Sequence, residues 1–200
     1  MTRLAVMLSG RGSNFLAIHD AVRSGRIPAA EIVAVISNKP DAPGLSRGRE
    51  LGYDCCDVDH RQFASREEHE AELLRLFGER KVDFVLLAGY MRLLSPRFVN
   101  HFRHRILNIH PSLLPAFPGV DAQAQAIAHG VKVAGCTVHL VDESLDGGPI
   151  LVQRSVNVLD EDDSDSLAAR ILEEEHEAYV EAVRKVCGGF RVEGRRVFFD

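Results

Sequence analysis

Apolar positions along this chain fall into two alternating rhythms. Continuous apolar runs of strand length open at residues 3–8 (RLAVML) and recur at 32–37 (IVAVIS) and 82–89 (VDFVLLAG). Runs this short, with no polar face, suit strands covered on both sides. Between them the period lengthens. Residues 14–24 (NFLAIHDAVRS) place Phe15, Ile18 and Val22 at helical spacing, and Gly25 closes the stretch. Residues 45–52 predict a short helix and 53–58 a third strand. Residues 65–80 predict a longer helix, opened by the capping-box pattern SREE and striped by Leu73, Leu74 and Phe77. A further strand is expected at 106–109, a strand pair at 135–142 and 149–158, and a long helix at 164–186 with Asp163 or Ser164 as its cap. The closing FRVEGRRVFFD predicts a hairpin around Glu193 and Gly194.

A β-α-β-α opening implies a parallel sheet with helices on both faces. The later strands, joined by short connections, read as antiparallel additions. The expected class is therefore α/β: a doubly wound, mostly parallel sheet with antiparallel C-terminal strands. No repeat, low-complexity segment or linker interrupts it. Two hundred residues suit one domain, 1–200, with a real core. The longest irregular stretch, 111–120, is rich in proline, and a loop of that length is usually functional or mobile.

Charge and composition narrow the function classes. The net charge of −5 argues against a surface built for nucleic acid. No apolar run approaches the ~18 residues of a membrane span. The first strand leads straight into a glycine turn, without the cleavage site of a signal peptide, so a cytoplasmic protein is expected. Cys55, Cys56, Cys136 and Cys187 form no C-x-x-C pair and read as free thiols. G-x-S-x-G and H-E-x-x-H are both absent, which leaves a serine nucleophile elbow and a zinc protease without support.

The candidate chemistry lies in NIHPSLLP, residues 108–115. On a strand, positions i and i+2 share a face, so Asn108 and His110 stand side by side. Pro111 has no N–H for a ladder, so the strand should stop there. The later turn DESLDGGPI (142–150) offers Asp142, Glu143 and Asp146. A carboxylate brought against His110 would favour the imidazolium, giving a charged donor beside the neutral donor Asn108. Two donors on one face match a developing oxyanion. A second candidate is SGRGSN (9–14), between the first strand and the first helix. Its glycines allow close approach, and the helix N-terminus suits a phosphate. Ser13 or Asn14 can cap the helix or bond the phosphate. The turn lacks the Gly-Lys-Ser/Thr of a Walker loop and the third glycine of a dinucleotide fingerprint, whose place Phe15 takes.

SGRGSN, AGYMRLLSP, LNIHPSLLPAFPG, GCTVHLVDESLDGGPI and EEEHEAY stand in this order from Met1 to about Lys185. In them the chain resembles the phosphoribosylglycinamide formyltransferase family, folate-dependent transformylases of purine synthesis, in its stand-alone bacterial type. N-x-H-P-S-L-L-P followed by an Asp-containing glycine turn is shared by 10-formyltetrahydrofolate hydrolases and transferases at large. Three features favour this member: the glycine-serine-asparagine turn, and the expected absence of a regulatory domain before the first strand and of a tRNA-binding barrel after the last helix.

The resemblance implies transfer of the formyl group of 10-formyltetrahydrofolate, the co-substrate, to the amine of glycinamide ribonucleotide; hydrolysis of the same folate is the alternative. It implies Asn108, His110 and Asp146 as catalytic residues. Arg11, Gly12, Ser13, Asn14 and Phe15 would bind the substrate phosphate, and Glu175 its amine. Arg66, Met91, Arg92, Leu93, Leu94, Asn108, Val141 and Leu145 would bind folate. Residues 1–100 become the phosphate-binding half and 101–200 the folate-binding and catalytic half, in a cleft with phosphate at one end and folate at the other. No metal, nucleic acid or membrane is implied, and the chain is expected as a monomer or homodimer. Arg11 stands where a well-studied branch has Asn, and Asp121 and Gln123 replace histidines of that branch.

Overall fold

The computed structural model describes residues 1–200, which divide into two compact units, Met1–Leu107 and Asn108–Asp200. The chain runs β1 (Thr2–Leu8), α1 (Ser13–Arg23), β2 (Ala30–Ser37), α2 (Pro43–Glu50), β3 (Cys55–Asp57), α3 (Arg66–Glu79), β4 (Phe84–Leu87) and α4 (Pro96–His101). It continues with β5 (Ile106–His110), α5 (Ala122–Ala128), β6 (Val133–Leu140), β7 (Ile150–Asn157), α6 (Ser164–Gly188), β8 (Phe190–Glu193) and β9 (Arg196–Phe199). The main sheet is mostly parallel, its seven strands ordered β3-β2-β1-β4-β5-β6-β7 and its last pair antiparallel, with helices flanking it; β8 and β9 form a separate hairpin.

In the first unit, β1 pairs in parallel with β2 on one side and β4 on the other, and β2 pairs with β3. The strand order therefore reverses at β1. In such sheets the carboxyl ends of the two strands flanking the reversal open a crevice. The loops that leave β1 and β4 there are 9–12 and 88–95. Leu4 to Leu8 are wholly buried, as their unbroken apolar run requires. α1 starts at Ser13, and the expected cap by Ser13 or Asn14 does not form. The chain enters the helix through Gly12 at φ 77, so the cap position has no side chain to bond with. Ser65 does cap α3, accepting from Glu68 N–H at 3.1 Å, but Glu68 reaches back to Ala64 N–H rather than to Ser65. The pattern therefore makes only half of a capping box. α4 escaped the sequence reading, although Ser95-Pro96 is a cap followed by proline at the first helical position. Phe98 and Phe102 on or beside it meet Phe77 of α3 edge-on, at 6.2 and 5.8 Å.

In the second unit, β6 and β7 pair antiparallel from Val133↔Asn157 to His139↔Ile150. α6 buries Leu167, Ile171, Ala178, Tyr179 and Val183. Asp163 and Ser166 close its N-terminus with a reciprocal capping box. α5, also unanticipated, follows Asp121. Its AQAQAIA sequence has high helix propensity but is too short to show a period. No helix is long and apolar enough to cross a membrane.

The proline-rich stretch after β5 is pinned to β6 and β7. Thr137 Oγ donates to Ser112 C=O at 2.7 Å and accepts from Leu114 N–H at 3.0 Å. Gln153 Nε2 donates to Leu114 C=O at 2.9 Å and to Thr137 Oγ at 3.0 Å. Thr137 is fully buried, so Thr137→Val keeps the shape but orphans Leu114 N–H. Removing one partner from a buried bond costs about 1–3 kcal/mol. The denaturant midpoint of Thr137→Val should fall accordingly at unchanged m-value.

Candidate active site

β5 ends at His110, where Pro111 withdraws the next ladder donor. The His110 ring is 5% exposed. A buried imidazole needs a partner at each nitrogen, and this one has acceptors on both sides. Nε2 donates to Phe117 C=O at 2.9 Å. Nδ1 lies 3.5 Å from Asp146 Oδ2. The carbonyl can only accept, so it fixes a hydrogen on Nε2, and Nδ1 is the nitrogen left to exchange a proton. Its separation from the carboxylate is longer than the ~2.7–2.9 Å of a charge-assisted bond. The Nδ1 edge can therefore meet a third polar group.

Asp146 owes its place to the turn after β6. It adopts φ 50, a left-handed conformation uncommon for a residue with a side chain. Its Oδ2 also accepts from Gly119 N–H at 2.8 Å. Gly148 has no room for a side chain, since a Cβ there would stand 1.8 Å from Leu140 C=O. The turn is thereby drawn against the end of β6, where Leu140 N–H donates to Pro149 C=O. Of the three carboxylates in the turn, Asp142 is spent inside it, accepting from Ser144 N–H and Oγ at 2.9 and 2.5 Å, and Asp146 faces the imidazole. Val141 and Leu145 lie in the same loop after β6, Leu145 largely exposed.

Asn108 and His110 share the end of β5, but a second imidazole lies between Asn108 and Asp146. His139 escaped the sequence reading. A polar residue inside the apolar strand VAGCTVHL, on the same face as Thr137, was the available signal. His139 is 2% exposed. Its Nδ1 donates to Leu140 C=O at 3.0 Å, so neutral Nε2 accepts from Asn108 Nδ2 at 3.2 Å. This settles which way the Asn108 amide points. Asp146 Oδ1, 3.8 Å from His139 Nε2, is beyond hydrogen-bond reach. Burial lowers the His139 pKa, outweighing the carboxylate's opposite pull. The site thus holds a neutral imidazole orienting an amide, and a second imidazole between two acceptors.

The other expected residues fall at four places. Glu175 is buried on α6. Its charge reaches Cys136 of β6, whose thiol is pushed up to about 12, chiefly by burial. Cys55 rises to about 11 for the same first reason; neither is a thiolate nucleophile at neutral pH. Arg11 is exposed at the turn after β1, and Gly12 is pressed against the start of α2, where a Cβ would stand 2.9 Å from Gly44 Cα. Ser13, Asn14 and Phe15 form the first turn of α1, whose N–H groups lack intrahelical acceptors by helix geometry. The Phe15 side chain lies in the core, against Tyr53 at 5.7 Å, so only its backbone faces the turn. Arg66 opens α3, exposed. Met91 to Leu94 lie in the loop between β4 and α4.

A parallel sheet reversing at β1, with a strand-end Asn and His and a carboxylate turn, defines a class. The formyl transferase family matches residues 2–183, and the chain belongs to it. Among its relatives, phosphoribosylglycinamide formyltransferase of Escherichia coli is 43% identical over 176 residues, 88% of this chain and 82% of that protein. The trifunctional purine biosynthetic protein adenosine-3 of Drosophila melanogaster is 48% identical over 188 residues. That match takes in 94% of this chain and spans 14% of the insect protein's length. The crystal structure of glycinamide ribonucleotide transformylase 1 from Symbiobacterium toebii superposes with TM-score 0.97 at 50% identity, covering 100% of this chain and 94% of that one.

Burial lowers the pKa of His69 and His176 as well as His139. In the unfolded chain these groups take up protons below about pH 6.5, while in the fold they stay neutral to lower pH. The unfolded state then binds more protons, so stability falls as pH drops through that value. Melting followed by circular dichroism should give a lower Tm at pH 5.5 than at 7.5, and His69→Gln should shrink the difference. An equal or higher Tm at pH 5.5 contradicts this.

Proposed function

We propose that this chain transfers the formyl group of 10-formyltetrahydrofolate to the amine of glycinamide ribonucleotide, giving formylglycinamide ribonucleotide and tetrahydrofolate. The observation that carries the reading is the His110 ring. One nitrogen is tied to Phe117 C=O, and the other turns toward Asp146 across a gap that a substrate oxygen can share.

The amine nitrogen bonds to the formyl carbon, and the carbonyl pair moves onto oxygen. The Asn108 amide, oriented by His139, and His110 Nδ1–H donate to that oxygen. Each such donor contributes on the order of 10²–10³ in rate. Asp146 supports the protonated ring and, through water, accepts the proton the amine loses. The bond from formyl carbon to folate nitrogen then breaks, and a proton is returned to that nitrogen. Acid–base help of this kind is worth ~10²–10⁴, and juxtaposing the two substrates supplies much of the remainder. Ser13, Asn14 and the backbone of the first turn of α1 hold the phosphate with Arg11 beside them, and Glu175 holds the substrate amine. Met91, Arg92, Leu93, Leu94, Arg66, Val141 and Leu145 hold folate. The exposed apolar Met91 and Leu93 suit a flat ring whose polar edge meets backbone.

Mixing the protein with both substrates, and with each omitted in turn, tests the reaction through the absorbance change of folate deformylation. Deformylation without the ribonucleotide would assign the chain as a hydrolase. Asp146→Asn should lower kcat by about 10²-fold or more with both KM values little moved. Asn14→Ala should instead raise KM for the ribonucleotide roughly tenfold. Steady-state kinetics checks both, and equal effects on kcat and KM in both variants would remove the assigned roles.

A further inference from the structure

Glu70 lies on α3, one turn after Arg66 on the same helix face, and is 4% exposed. Burying a carboxylate is costly unless its oxygens are satisfied. Both of the Glu70 oxygens are spent on one residue. Oε1 accepts from Ser95 N–H at 2.7 Å, and Oε2 accepts from Ser95 Oγ–H. Ser95 caps α4 by itself, its Oγ accepting from Phe98 N–H at 3.3 Å, so the helix cap does not require Glu70. What Glu70 adds is a fixed end to the loop that leaves β4.

The start of that loop is fixed by a second buried polar group. Ser9, at the end of β1, donates its N–H to Gly89 C=O at 3.1 Å. Its Oγ accepts from Met91 N–H at 2.9 Å and donates to Asn38 Oδ1 at 2.5 Å. Ser9, Asn38, Glu70 and Ser95 are all buried. The segment stretched between the two clamps is the reverse. Met91 is 76% exposed and Leu93 65%. Apolar side chains at that exposure, on a loop tied down at both ends beside the strand-order reversal, have the form of a preorganised contact surface. Rigid support of a binding loop is what turns contact into affinity.

We infer that Glu70 is a positioning residue for the folate co-substrate: through Ser95 it sets the height of the Met91–Leu94 segment against the Ser9 clamp. Glu70 itself touches no substrate. The inference rests on the reading of Met91–Leu94 as a folate contact.

The test separates position from stability. Glu70→Ala should raise KM for 10-formyltetrahydrofolate roughly tenfold, as a sub-ångström to ångström displacement of a binding segment does. KM for glycinamide ribonucleotide and kcat should stay within about twofold. Glu70→Gln keeps one acceptor for Ser95 N–H and should show a smaller rise. Ser95→Ala, which removes one of the two bonds, should fall between them. If Glu70→Ala does not fold, the last two variants decide by the same split. A folded variant with unchanged folate KM, or with both KM values raised alike, overturns the inference. Direct titration with 10-formyl-5,8-dideazafolate, followed by fluorescence, reads the same weakening without turnover. A wild type that binds this analogue but does not formylate the ribonucleotide defeats the proposed function and leaves the Glu70 comparison intact. A wild type that does not bind it overturns the inference as well.

Discussion

The site depends on satisfying a buried imidazole. A ring placed at the end of a strand, 5% exposed, must find partners for both nitrogens or pay a desolvation penalty. The chain supplies them from two different loops: the Phe117 carbonyl from the stretch after β5, and Asp146 from the turn after β6. Each loop then needs its own support. Thr137 and Gln153 pin the first. The close approach of Gly148 to Leu140 shapes the second. The loops are also tied to each other where Gly119 N–H donates to Asp146. A requirement at one ring therefore propagates into glycine placement, a buried threonine and the geometry of two turns.

The backbone conformations agree with this. Phe117, Asp121 and Asp146 take positive φ without being glycine. Residues held there persist when their surroundings over-determine them, and they gather at functional sites. Phe117 and Asp146 supply the two acceptors that face the His110 ring. Phe117→Gly would relax the turn and loosen the aim of the carbonyl, whereas Asp146→Gly would delete the carboxylate altogether.

Much of this architecture was legible in the residues, for a physical reason. Period is a strong signal over long segments, and β1, α1, β2, α3 and α6 all lie where the apolar rhythm placed them. Asn108 and His110 could be paired because a strand obliges i and i+2 to share a face, and Pro111 marked the strand end. The short elements were not legible. α4 and α5 span fewer than two full turns, too few for a period to appear, and only the Ser95-Pro96 cap signalled the first. Gly12 displaced the expected cap of α1 because a left-handed entry is a backbone property that a side-chain pattern does not record. His139 was hidden by its setting, since one polar residue in a buried strand looks like a structural hydrogen-bonder. It is that too, and its neutral nitrogen is what points the Asn108 amide.

Glu70 was hidden for a related reason. In the capping pattern SREEHE it looks like one more solvated acid on an exposed helix, because helix period alone does not reveal that a later loop folds over that face. Only the fold shows that its two oxygens end on Ser95. The two polar arrangements then follow one logic. At His110, acceptors from flanking loops orient a buried ring. At Glu70, a buried acceptor orients a loop that presents apolar side chains. Replacing either carboxylate by an apolar group of similar volume would ease desolvation, yet would leave buried donors on Gly119 or Ser95 without a partner. Stability alone does not favour a carboxylate at these two positions over an uncharged residue that could bond the same donors. Geometry does, because a carboxylate can accept from two donors at once and so fix direction as well as distance.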